Sequence, residues 1–61
     1  MTKKDHVTLE YRRRVFTREH GHEPNAVLVD EADLSDYGPT FDGLRVVLTL
    51  NPDLHLTPIL L

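Results

Sequence analysis

Leu44-Arg45-Val46-Val47-Leu48-Thr49-Leu50 is the stretch from which the fold can be read. Leu44, Val46, Leu48 and Leu50 fall on one side of an extended chain, with Arg45, Val47 and Thr49 on the other. That is the period of a half-buried β-strand. Asn51-Pro52-Asp53 follows, with Pro52 pre-set for the second position of a type I turn. Beyond it Leu54 and Leu56 alternate with His55 and Thr57, so the spacing predicts a final strand returning antiparallel as a hairpin. Pro58 cannot donate to a ladder and assigns that strand to a sheet edge.

Upstream, Ala26-Val27-Leu28-Val29 is a continuous apolar run bounded by Pro24-Asn25 and Asp30, and reads as a strand covered on both faces. Asp30 is placed to cap one helical turn over Glu31 to Leu34. Ser35 to Gly43 holds Gly38, Pro39 and Gly43 and reads as a connection, anchored in the core by Leu34, Tyr37 and Phe41. Lys4 to His20 reads as a helix. Val7, Tyr11 and Val15 are spaced by four, Leu9 and Phe16 by seven, and together they define a broad apolar side. Gly21 stands where a left-handed residue ends a helix, and Pro24 follows. Val7, Leu9 and Tyr11 also alternate with Thr8 and Glu10, so a strand over residues 6–16 is the rival reading. The expected fold class is α+β. One N-terminal helix packs on a small, mainly antiparallel three-stranded sheet in the order α-β-β-β, with an acidic loop after the first strand.

Sixty-one residues suffice for one domain, 1–61. A chain this short hides only about 60% of its unfolded surface, and small domains commonly add disulfides, a metal or a second subunit. There is no cysteine, so the first option is closed. No apolar run approaches the ~20 residues of a membrane span, and Met1-Thr2-Lys3-Lys4-Asp5-His6 does not open a signal segment. A cytoplasmic protein without membrane contact is expected. The net charge of −3 is unevenly spread: residues 1–22 carry +3 and residues 23–61 carry −6. Such a split favours contacts between oppositely charged faces.

Several motifs invite chemistry. Val29-Asp30-Glu31-Ala32-Asp33 ends a strand as a helicase-type ATPase does, but no Gly-rich phosphate loop with Lys and Ser/Thr precedes it. A calcium loop begun at Asp33 would put Tyr37 at an oxygen-ligand position and Leu44 where a Glu is required. Only Ser35 offers a serine nucleophile, and no triad is in view. No catalytic residue and no cofactor are therefore expected. His20 and His22 flank Gly21, inside Glu19 and Glu23, and are the candidate metal ligands of a small zinc-binding domain. A structural site needs four ligands, and the remaining histidines are only His6 and His55. With His20 complementing a helix C-terminus, the expected metal content is none.

Arg12, Arg13, Arg14 and Arg18 are candidate phosphate contacts of a nucleic-acid-binding protein. Consecutive helical side chains diverge by about 100°, however, and the overall acidity opposes general nucleic-acid binding. Pairs such as Glu10 with Arg14 on a solvated face explain them. Asp30, Glu31, Asp33, Asp36 and Asp42 make the opposite case, a loop that imitates nucleic-acid phosphates.

The most distinctive feature is the C-terminus. Leu54, Leu56, Ile59, Leu60 and Leu61 are five large apolar residues on an expected edge strand, and such edges invite association. The expected function is a non-enzymatic interaction module, self-associating through these residues, with a dimer favoured over a different protein partner.

One resemblance adds to this reading. Glu19-His20-Gly21, Pro24, Val27-Leu28-Val29, Tyr37 and Phe41-Asp42-Gly43-Leu44-Arg45-Val46-Val47 resemble the outline of a type of short uncharacterised protein carried by tailed-phage and prophage genomes. The similarity covers residues 15–50 and brings no catalytic positions. It implies a mobile-element origin and a structural or host-directed binding role.

Overall fold

Helix α1 runs over Lys3–His20, rich in Arg and Glu that lose little freedom in a helix. It stops at Gly21, whose φ of 77° belongs to the left-handed region and whose amide donates to the Thr17 carbonyl at 2.9 Å. That single bond is the left-handed cap expected of a glycine following a helix. The computed structural model describes residues 3–61, and these form an α+β fold. One N-terminal helix lies against an open, mixed sheet of four strands: β1 (Ala26–Asp30), β2 (Thr40–Phe41), β3 (Leu44–Thr49) and β4 (Thr57–Ile59).

The strand order is β2-β3-β1-β4. β1 and β3 are parallel, in register from Ala26 opposite Arg45 to Asp30 opposite Thr49. β2 is antiparallel to β3, and β4 is antiparallel to β1. The mainly antiparallel three-stranded sheet is thereby corrected in three ways. First, Phe41 and Thr40 are a strand rather than loop, closed onto β3 by Asp42-Gly43 with φ of 53° and 79°. Two successive left-handed residues make the type of hairpin turn that Asp-Gly favours. Second, residues 31–43 provide the dozen or so residues that a parallel crossover requires. Third, β4 does not return along β3. β2 already holds the start of β3's outer edge, and β1 has a free one. A 3-10 turn at Pro52–Leu54 and a left-handed Leu56 (φ 62°) carry the chain across to it. β4 is nonetheless an edge strand, as Pro58 demanded.

The core is one cluster: Leu9 from α1, Val27 and Val29 from β1, Tyr37, Phe41, Leu44 and Leu56, with Leu34 and Val46 against it. The anchors expected in the connection do enter the core. The broad helical stripe does not: Leu9 is fully buried, whereas Val7 is 59% and Tyr11 69% exposed. Polar side chains on Leu9's side fix the rotation. The Tyr37 hydroxyl donates to Asp5 at 3.0 Å, and His6 meets Asp42 at 2.9 Å. The strand reading of residues 6–16 is overturned by the continuous helix. Asp30 extends β1 and makes no side-chain cap, and the 3-10 turn after it lasts from Glu31 to Asp36. Leu48 and Leu50, assigned to the inner side of β3, are exposed because the core ends before reaching them.

Candidate interaction surface

The C-terminal half of α1 and strand β4 face one another across an open groove of about 790 Å³. Tyr11, Val15 and Phe16 line it from the helix, Pro58, Ile59 and Leu60 from the strand, and His20 and His22 close one end. One contact ties the helix to the chain just before the strand. Arg12 donates to the carbonyl of His55 just before β4. Past β4, Asn25 in the loop before β1 clasps Leu61, accepting from its amide at 2.8 Å and donating to its carbonyl at 3.2 Å. The Asn25 amide also donates to the Ile59 carbonyl at 3.1 Å. The chain end is thus pinned by hydrogen bonds while its side chains stay outside: Leu60 is 51% and Leu61 65% exposed.

The five expected interface residues therefore separate. Leu56 is a correction. It lies in the chain's own core, its amide donating to the Leu28 carbonyl at 2.7 Å, and presents nothing to a partner. Leu54 falls in the 3-10 turn, partly exposed and apart from the strand. Ile59 is half-buried on the groove, and Leu60 and Leu61 are exposed beside it. Tyr11 and Phe16, read from sequence as part of the helix's broad apolar side, are groove residues. Their signal was present. Tyr11 and Val15 form a stripe of period four that does not coincide with Leu9.

Phe16 organises the histidine end. Its ring lies 4.2 Å from that of His20, one helical turn on, and 6.3 Å from that of His22. The two imidazole centroids are 6.4 Å apart, with planes inclined by 29°. Gly21 reverses the chain between them, so both rings come to the same side of Phe16. No group of three or more His, Asp or Glu side chains among the described residues is gathered for a metal ion.

The arginines point different ways. Arg12 reaches the carbonyl next to β4, at one sheet edge, and Arg13 donates to the Asp42 carbonyl at 3.1 Å, beside the other edge. Arg14 pairs with Glu10 at 3.0 Å, the expected i, i+4 partner. Arg18 lines a second, smaller groove with Arg13, Arg14, Glu10 and Glu23. The acidic residues are likewise dispersed. Asp42 joins His6, Asp33 approaches Nε2 of His55 at 3.7 Å, and Glu31 and Asp36 lie on the exposed 3-10 turn. His55 has a structural part, since its Nδ1 accepts from the Asp30 amide at 3.1 Å. An acceptor at Nδ1 puts the neutral ring's proton on Nε2, toward Asp33.

The ionisation of Tyr37 is clearly displaced. Burial, then the hydrogen bond to Asp5 and the nearby acidic charges, holds its hydroxyl far above the ordinary tyrosine range. The hydroxyl is held in place by its bond to Asp5. No described helix is long and apolar enough to cross a membrane. No family model matches the sequence, and comparison with curated proteins and with solved structures returns no similar chain.

Proposed function

We propose that this chain is a non-enzymatic interaction module that pairs with a second copy of itself along the α1/β4 groove. One observation carries the reading: Tyr11, Val15, Phe16, Ile59 and Leu60 form a continuous apolar strip, with Leu61 beside it. Total area is not the argument. The chain exposes 4227 Å², close to the roughly 4000 Å² expected of a folded monomer of its 7.0 kDa. What matters is which atoms make up that area, and here large side chains cluster at one sheet edge. A typical interface covers about 800 Å² per partner, roughly a fifth of this surface. The strip mixes helix and edge strand, and a two-fold axis beside it would bring each copy's helix onto the other's strand, as an isologous dimer requires.

Sedimentation equilibrium of the full chain from micromolar to millimolar concentration tests this. The expected mass approaches twice 7.0 kDa. Tyr11→Glu and Leu60→Glu, both at exposed positions, should return the chain to monomer where the parent pairs. A chain that stays monomeric to millimolar concentration, with or without added zinc, overturns the proposal.

A further inference from the structure

We infer that His20 and His22 are half of a divalent transition-metal site, completed by the same two residues of a second copy. The inference rests on the self-association proposed above and names its chemical link. Three observations meet at the end of α1. Two imidazoles stand side by side with centroids 6.4 Å apart and planes only 29° from parallel. Both are exposed, and neither makes a side-chain hydrogen bond or ion pair among the described residues. Both rest against Phe16, which narrows the positions open to them.

The distances suit a tetrahedral ion. With Zn–N bonds of ~2.0–2.1 Å, two imidazoles on one ion have centroids about 5 Å apart, so side-chain rotation must bring this stacked pair about 1 Å closer and turn the in-plane lone pairs toward a common point. Two ligands do not make a structural site, and no third His, Asp or Glu is gathered there among the described residues. A two-fold axis supplies what one chain lacks, four imidazoles around one ion. The pair sits at the mouth of the groove, so an axis through the ion also brings the apolar strips of two copies together. Glu19 lines the same groove. Neutral imidazole suits zinc, copper and nickel over magnesium or calcium. A metal also answers the need of a small chain without cysteine for a cross-link.

The test uses the full chain and zinc chloride. Titration calorimetry should give one zinc per two chains, and sedimentation should show zinc moving the pairing to protein concentrations at least about tenfold lower. His20→Asn and His22→Asn should each remove the zinc response while keeping helical circular dichroism. His6→Asn, at the histidine paired with Asp42, should leave the response intact. Pairing that ignores both zinc and chelator overturns the metal site and leaves the interaction module standing. Zinc bound one per chain without association, or a response that survives His20→Asn and His22→Asn, also overturns it. Monomer under all conditions removes both.

Discussion

Replacing Leu9 by Ala should remove much of the fold's stability, while replacing Val7 by Ala two positions away should remove none. Among the described residues of α1, Leu9 alone enters the buried cluster, where it joins Val27, Val29, Tyr37, Phe41, Leu44 and Leu56. Leu→Ala in a core costs about 2–5 kcal/mol, the lower values applying where the surroundings can collapse. A helix held by a single apolar anchor can settle inward, so about 2–3 kcal/mol is the expected loss. At ~2.1 cal/mol/K per residue, the unfolding entropy of this chain is about 0.13 kcal/mol/K, which converts that loss to a Tm drop of roughly 15–25 °C. A domain of this length is stable by only about 3–9 kcal/mol, so Leu9→Ala consumes a large share. Val7 is mostly exposed, and Ala is the better helix former, so Val7→Ala should hold Tm or raise it by a few degrees. Thermal and urea unfolding followed by circular dichroism measures both. A Leu9→Ala change under about 0.5 kcal/mol, or an equal cost for Val7→Ala, would refute the assigned rotation of the helix.

Three further outcomes follow from the geometry. Gly43→Ala should cost about 1–2 kcal/mol from backbone strain alone, since its φ is 79° and a Cβ there meets no atom within 4 Å; Gly38→Ala, with equal room and no positive φ, should be neutral or slightly stabilising in the same urea titrations. Tyr37 holds its proton more tightly when folded than when unfolded. Its contribution is therefore intact below pH ~10, where an unfolded tyrosine titrates, and fades as pH rises above it. The stability difference between the parent and Tyr37→Phe, measured from pH 8 to 11.5, should shrink only at the alkaline end; a constant difference would count against the buried phenol–Asp5 bond. His55→Ala should cost about 1–2 kcal/mol by orphaning the Asp30 amide, and nitrogen NMR of the parent at neutral pH should show the Nε2-protonated tautomer; the Nδ1 form would rule out the Asp30 contact.

What the sequence disclosed was what neighbours in sequence decide. The helix end was readable because Gly21 and Pro24 act locally, and β1 and β3 because their apolar runs need no knowledge of a partner. Asp42-Gly43 carried an equally local hairpin signal, which Gly38 and Pro39 obscured by making the whole stretch look like loop. The parallel pairing of β1 with β3 left no mark, since β3's alternation is the same whichever strand lies beside it. β4 was assigned to the wrong neighbour for a similar reason. Proximity in sequence favoured β3, and only the occupation of β3's outer edge by β2 sends the last strand to β1. At the surface, Leu54 to Leu61 were read as one edge. Leu56's left-handed turn divides them, sending one side chain into the core and leaving the last two outside.

The division of labour along α1 ties these points to the proposed function. The N-terminal half is secured to the β2–β3 side by polar contacts, Asp5 to Tyr37, His6 and Arg13 to Asp42. Past Arg12 the helix has no fully buried side chain, although Val15 and Phe16 lie there and β4 runs opposite. A helix of 18 residues is about 27 Å long, whereas a four-stranded sheet at ~4.8 Å spacing spans only about 15 Å between its outer strands. The helix is therefore longer than the sheet is wide. Its C-terminal end carries Phe16 and His20, with His22 just beyond, along the open groove that β4 borders. In the pairing proposed above, a second copy of the chain would cover that groove with the same residues.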